Sequence, residues 1–220
     1  INTQYNTCGI NGFNEAISYL GEDILEEEGV KLGIEIIECI NSVNDKMQKR
    51  FKTPHNCEQI PAENVSIKLA QKDRLLGYQD EYELYSNQFI PLIVNADLLD
   101  RIKLQGIFDK YFSGGSIMHI SCDEKLEEIE DMKALIKLCA KQGVIYFAIN
   151  YLLRRCKHGH MTVGSDKICP ICGETITDFY TRVVGFLTNI KNWHKVRREK
   201  DAPNRQMYKK RDIGNPEGND

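Results

Sequence analysis

Apolar and polar positions along the chain follow two periods, one helical and one extended. Residues 1–12 are polar with two glycines and predict a loop, and 12–20 predict a short helix. From about 31 to 52, Ile36, Ile40, Val43, Met47 and Phe51 recur at spacings of three and four, the stripe of an amphipathic helix. "TPHNCEQIP" (53–61) breaks that helix, and Pro61 suits the first turn of another that runs to about Leu76. "NQFIPLIV" (87–94) predicts a strand, although Pro91 is uncomfortable inside one. "SIMHISC" (116–122) predicts a second strand, introduced by Gly114 and Gly115. Residues 124–142 predict a third amphipathic helix, with Ile129, Met132, Leu135, Ile136 and Cys139 on one side and Gly143 as its C-cap. "VIYFAIN" (144–150) follows as a buried strand. This strand–helix–strand order implies an α/β layer with parallel strands. There is no internal repeat, and "GNPEGND" (214–220) predicts a disordered end.

Composition narrows the class. The chain has 220 residues, 41% apolar and 28% charged, which describes a globular protein. A net charge of −3 gives no overall electrostatic case for direct nucleic-acid binding. No apolar run approaches the ~18 residues of a membrane span, and no signal peptide is recognisable. The first residue is Ile1, which implies a piece of a longer chain. Of eight cysteines, the five scattered ones, at 8, 39, 57, 122 and 139, read as reduced thiols in a cytoplasm, and the last three, at 156, 169 and 172, cluster. The acidic run Glu22, Asp23, Glu26, Glu27, Glu28 predicts a solvated face. Between 189 and 212 lie nine basic residues (191, 195, 197, 198, 200, 205, 209, 210 and 211) opposed by Glu199, Asp201 and Asp212. The default reading of that tail is also a solvated face.

The chemistry concentrates in "CKHGHMTVGSDKICPICG" (156–173). Cys169 and Cys172 form a C-x-x-C knuckle, which sets two sulfurs on one cation. Cys156 supplies a third ligand to the tetrahedral set that structural Zn²⁺ requires. A second C-x-x-C would need cysteine at 159, where Gly159 stands, so the fourth ligand is His158 or His160. His160 is favoured, because the glycine before it lets the chain turn the imidazole inward. A redox pair or plain surface thiols is the competing reading. Few basic residues lie between the knuckles, which favours a structural clip over a nucleic-acid ribbon.

Just beyond lies "TRVVGFL" (181–187), with one glycine inside an apolar run. The zinc ribbon followed by this run resembles the C-terminal end of the anaerobic, class III ribonucleotide reductases. That family stores a radical on the Cα of a glycine in an R-V-x-G-[YF] motif after a four-ligand zinc site. The resemblance continues upstream: "EQIPAENVSIKLAQKD" (58–73) is similar to its PAE helix start, and "LYSNQFIPL" (84–92) to its S-N-Q strand. "SGGSIMHI" (113–120) is similar to its G-G-x-x-H strand, and "NTCGINGFNEA" (6–16) to its conserved barrel turn.

The resemblance implies the second half of a ten-stranded α/β barrel over 1–153, a zinc ribbon over 154–178, and a glycyl radical loop with basic tail over 179–220. It implies Gly185 as the radical residue and Glu58 as a possible general base toward the substrate ribose; His119 reads as a packed barrel residue. The cysteine that would form the thiyl radical belongs to a loop upstream of this chain, and Cys8 is assigned no catalytic role. The implied activity is that of an oxygen-sensitive oxidoreductase reducing ribonucleotides to 2′-deoxyribonucleotides, in deoxyribonucleotide biosynthesis for DNA replication. Implied partners are the N-terminal half, without which the chain is inactive, a radical-SAM activase that installs the glycyl radical, formate or a redoxin as reductant, and a second copy in a homo-oligomer. The basic tail would dock the activase or hold the radical loop, with Trp193 as a packing anchor. Two other readings stand beside this one. One is a non-enzymatic zinc-ribbon module binding nucleic acid or protein. The other is a formate-lyase-like glycyl radical enzyme, which lacks such a ribbon.

Overall fold

A computed structural model describes residues 4–214, and the expected disorder of 214–220 lies almost wholly outside them. The chain separates into two units, the first comprising 1–91, 100–118 and 139–146 and the second the remainder. Among the described residues the strands form three small sheets and no closed one. The architecture is mixed α/β.

The first unit opens with β1 (Asn6–Ile10), α1 (Phe13–Tyr19), α2 (Glu27–Phe51) and β2 (His55–Gln59). β1 and β2 pair in parallel, Cys8 facing Cys57 and Gly9 facing Glu58. Both strands lie in stretches expected to be loop. "NTCGI" and "HNCEQ" carry little apolar signal, because their pairing is set by the crossover of α1 and α2 rather than by alternation.

α2 also corrects the expected stripe. Val43 and Phe51 are exposed, whereas Gly29, Gly33 and Ile37, spaced by four, make the buried face. A Cβ at Gly33 would stand 2.9 Å from the Phe108 ring and 3.1 Å from that of Phe13. Glycine is thus what seats the helix on an aromatic core.

That core joins Phe13, Phe89, Phe108 and Phe112, with ring centroids 4.9 to 5.7 Å apart. Such tilted and edge-to-face pairs add about 1 kcal/mol each beyond area burial. Phe108 comes from α4 (Leu98–Asp109), a helix the apolar positions Leu98, Ile102 and Phe108 announce but which was not expected. Phe89 lies in the 87–94 segment, which is irregular rather than a strand. Its carbonyls at Ile90 and Pro91 accept hydrogen bonds from buried Arg101, at 2.6 and 3.1 Å, instead of from a neighbouring strand. α3 (Val65–Leu75) begins four residues after Pro61, later than predicted.

β3 (Met118–Cys122), α5 (Ile129–Lys141) and β4 (Phe147–Tyr151) give the expected strand–helix–strand unit. β3 and β4 are hydrogen-bonded neighbours. Met118 N donates to Tyr146 O and Leu152 N to Cys122 O, so the two strands run the same way. α5 buries Leu135, Leu138 and Cys139, while Ile129 and Ile136 face outward, which shifts its inner face from the predicted one.

The second unit carries an antiparallel sheet in the order β6–β5–β7–β8. Its strands are β5 (Leu153–Cys156), β6 (Met161–Val163), β7 (Ile176–Arg182) and β8 (Leu187–Asn189). A short 3₁₀ turn (Ile190–Asn192), a π-turn (Arg197–Asp201), a second 3₁₀ turn (Ala202–Asn204) and α6 (Lys210–Gly214) follow. Within this unit the tail is anchored at Tyr208, whose N donates to Ser121 O at 2.8 Å and whose hydroxyl donates to Ala96 O at 2.7 Å.

Candidate metal centre and glycine loop

Two turns build the cysteine cluster. β5 ends at Cys156, and Gly159, at φ +85°, reverses the chain so that His160 comes back beside it. The second knuckle closes through Gly173, at φ +74°, whose N donates to Cys169 O at 2.9 Å. Glycine is needed at both, since the left-handed region strains any residue with a Cβ.

The result brings the Sγ atoms of Cys156, Cys169 and Cys172 and one ring nitrogen of His160 within 4.8 Å of one another. Cys156 Sγ lies 3.6 Å from His160 Nδ1 and 3.8 Å from Cys172 Sγ, and Cys169 Sγ lies 3.8 Å from His160 Nδ1. Two sulfurs about 2.3 Å from one tetrahedral zinc stand about 3.8 Å apart, and a sulfur and an imidazole nitrogen about 3.6 Å. The donor set therefore fits zinc in kind, number and spacing. His158 is exposed and outside the cluster.

Desolvation raises the Cys156 and Cys169 thiols, but neighbouring backbone amides outweigh it and hold both below the ordinary thiol range. Those amides belong to His158 and His160 for Cys156, and to Ile171 and Cys172 for Cys169. Amides aimed at sulfur favour thiolate, the form that binds metal. Ile176 and Phe179 of β7 pack against the cluster, and Lys157 pairs with Glu174 across it at 2.8 Å.

β7 runs from this cluster to the glycine. At its far end the chain turns through Val183, Val184, Gly185 and Phe186 into β8, with Arg182 opposite Leu187. Val183 and Val184 are buried against Trp193, whereas Gly185 and Phe186 are exposed. Arg182 Nη1 donates to Gly185 O at 3.1 Å, and Val183 N to Phe186 O at 3.1 Å.

The tail holds this turn from behind. Arg205 donates to the carbonyls of Arg182 and Val183, at 2.7 and 2.6 Å. Its guanidinium also grips both carboxylate oxygens of Asp201, at 2.6 and 2.8 Å, and lies 4.8 Å over the Trp193 ring. Arg197 donates to Asp201 as well, at 2.8 Å. Desolvation raises the Asp201 carboxyl, yet Arg205 and Arg197 outweigh it and keep the group ionised below its ordinary range. Arg197 and Arg205 are thus buried, which corrects the reading of the tail as a wholly solvated face. Sequence reasoning passed over this arrangement. Its signal was an acid flanked four residues away on both sides by arginine, at 197, 201 and 205.

His119 is buried on β3 and its Nδ1 lies 2.8 Å from the Asn150 amide nitrogen. Burial, helped by the charges of Arg205 and Arg182, lowers its pKa to about 4. Glu58 sits within β2, which removes its alternative reading as a helix-start carboxylate. It is half-buried, with Gly9 beside it on β1 and Gly115 bridged on its other side.

Residues 1–208 match the family model of anaerobic ribonucleoside-triphosphate reductase. This chain belongs to that family. A solved anaerobic ribonucleotide reductase matches at a TM-score of 0.84 and 38% identity, covering 94% of this chain and 35% of that one. The anaerobic ribonucleotide reductase from Thermotoga maritima with glycerol in the active site matches at 0.77 and 38%, covering 89% and 33%. The same reductase in complex with dATP and CTP gives 0.76 and 38%, again covering 89% and 33%. No curated protein sequence matches the chain. The chain spans about a third of the length of these solved reductases. A family match over nearly the whole chain leaves the reading as a non-enzymatic binding module without support. Among the described residues no helix is long and apolar enough to cross a membrane.

Proposed function

We propose that this chain is the C-terminal part of a cytoplasmic glycyl radical enzyme that reduces ribonucleotides to 2′-deoxyribonucleotides. The observation that carries the reading is one strand, β7, with a zinc-type donor set at its start and an exposed glycine in a held turn at its end. Cys156, His160, Cys169 and Cys172 would hold zinc as a structural clip that fixes where β7 begins. Gly185 is the proposed radical residue. Hydrogen abstraction at its Cα needs access and the absence of a side chain, and its exposure provides the first. A radical-SAM activase would install the radical.

Within the proposed layout, 1–153 contribute to the ten-stranded barrel, with the two parallel strand pairs as staves that the remainder of the reductase completes. Residues 154–178 form the ribbon and 179–220 the radical loop and tail. Glu58 is proposed as the carboxylate that takes a proton from the substrate ribose. On one side of it Gly115 leaves open space, with no atom within 4 Å of where a Cβ would stand, while on the other the Ile60 side chain fills the place of a Gly9 side chain. The N-terminal portion supplies the thiyl cysteine, formate or a redoxin supplies electrons, and the enzyme works as a homo-oligomer.

Anaerobic treatment with a radical-SAM activase, S-adenosylmethionine and reductant tests the reading. The expected electron paramagnetic resonance signal is a doublet from one Cα hydrogen, collapsing when glycine is deuterated at Cα and missing in Gly185→Ala. A wild-type doublet that survives in Gly185→Ala would place the radical elsewhere and overturn the assignment.

A further inference from the structure

The first unit contains a cleft of about 470 Å³ that the radical chemistry does not use. It lies among α1, the later part of α3 and the loop 78–85. Four tyrosines line it, Tyr19, Tyr78, Tyr82 and Tyr85, together with Glu15 and Asp73. No lysine or arginine does.

Glu15 is the unusual member. It is 94% buried, and only one of its carboxylate oxygens has a partner, the Ser86 amide at 2.7 Å. Oε2 has none, and neither polar atom of the Asn11 side chain, also on the cleft wall, has one. Asp73 accepts from the Tyr85 hydroxyl at 2.7 Å. Among the described residues neither carboxylate has a cationic partner. Leaving a buried carboxylate oxygen unmatched is costly, so its retention points to a ligand that matches it.

We infer that this cleft binds an alkylammonium or guanidinium cation, its charge on Glu15 and Asp73 and its body against the tyrosine rings. Tyrosine faces attract cations, most strongly where water is excluded. Two carboxylates without a basic residue exclude phosphate-bearing ligands. Burial holds the Glu15 carboxyl up at about 7. Asp73, Tyr82 and Tyr85 facing it contribute no positive charge. A bound cation favours the ionised form, so binding tightens as pH rises from 6 to 8.

Titration calorimetry on the chain with butylguanidinium, putrescine and neutral butylurea tests this. The expected result is saturable binding of the cations, at least tenfold tighter than butylurea. Glu15→Gln keeps the oxygen that accepts from Ser86 and should weaken cation binding about tenfold, and Asp73→Asn should do so independently. A blocked Gly-Arg-Gly peptide distinguishes the source: tighter binding than putrescine assigns the site to a protein side chain, weaker binding to a free cation. Equal binding of butylurea, or cation affinity unmoved in both variants, overturns the inference.

Discussion

The two ends of β7 are held in opposite ways. At its start, four donor atoms lie within 4.8 Å of one another, and the zinc proposed there would fix the backbone by chemistry that acts all at once or not at all. At its end, the turn carrying Gly185 is held by hydrogen bonds to main-chain carbonyls from two arginines, Arg205 and Arg182, with valines resting on one tryptophan. A cross-link suits a reference point. Polar contacts that break and re-form suit a loop that, on the proposed reading, meets two partners in turn, an activase and an active site. Between the ends, Asp178 ties the sheet together, accepting from Asn189 at 3.0 Å and pairing with Lys191 at 3.1 Å and Arg155 at 3.3 Å.

The sharpest way to break the contrast is at the cluster. Cys169→Ser, or a strong chelator, should remove the single zinc and cost several kcal/mol of stability, since structural zinc supplies folding free energy of about 10 kcal/mol or more in small domains. Metal analysis with thermal melting reads this. Full metal content in the variant would show the cluster is not the clip. His160→Ala should lose more metal than His158→Ala.

At the other end, Arg205→Ala should cost about 3 kcal/mol, because it strips a buried carboxylate of one partner and leaves two carbonyls unmet. Denaturant unfolding gives the cost, and chymotrypsin cleavage at Phe186 reports the loop. Arg205→Lys should rescue little, since an ammonium cannot span Asp201 and two carbonyls in one plane. Equal protection of Phe186 in Arg205→Ala would remove the arginine from the holding of the loop.

Gly185→Ala should change stability by only about 1 kcal/mol while abolishing both the proposed radical and the backbone cleavage expected where O₂ adds to such a radical on exposure of the activated protein to air. Mass spectrometry locates any cut. Cleavage at another residue would displace Gly185 from its role.

The smallest effect concerns His119. Its folded pKa of about 4 lies below the ordinary 6.5, so the unfolded chain takes a proton that the fold refuses. Stability is therefore full above pH 6.5 and declines as pH falls from 6.5 toward 4. Burial is the main cause, but Arg205 and Arg182 add to it. In Arg205→Ala the pKa should rise, visible in imidazole proton shifts. No movement would show that the guanidinium's field does not reach the ring.

The clustering of Cys156, His160, Cys169 and Cys172 was legible because its geometry is local: three cysteines, two histidines and three glycines within 18 residues leave few ways to make a tetrahedron. Gly185 drew notice as one glycine inside an apolar run, and its proposed role came from resemblance. The β3–α5–β4 unit followed from periodicity. β1 and β2 did not, because strands as polar as "NTCGI" and "HNCEQ" owe their pairing to the helices between them. "NQFIPLIV" misled for the converse reason. Its apolar content serves the phenylalanine core through Phe89, and Arg101 occupies its carbonyls. The spacing of Arg197, Asp201 and Arg205 announces their ion pairs, but the reach of Arg205 to main-chain carbonyls more than twenty residues away is encoded by no side-chain pattern.

The path of the tail has a consequence for the damaged enzyme. Among the described residues, several contacts grip the chain after Gly185 without using the bond at Gly185: β8 on β7, Arg205 on the carbonyls of 182 and 183, Tyr208 on Ala96 and Lys209 on Asp123 at 2.9 Å. A chain severed there should remain whole in shape, one particle on a sizing column and two pieces on a denaturing gel. On the glycyl radical reading, oxygen would then leave a nicked protein that keeps its shape, inert but not unfolded, and open to exchange of the short piece for an intact copy.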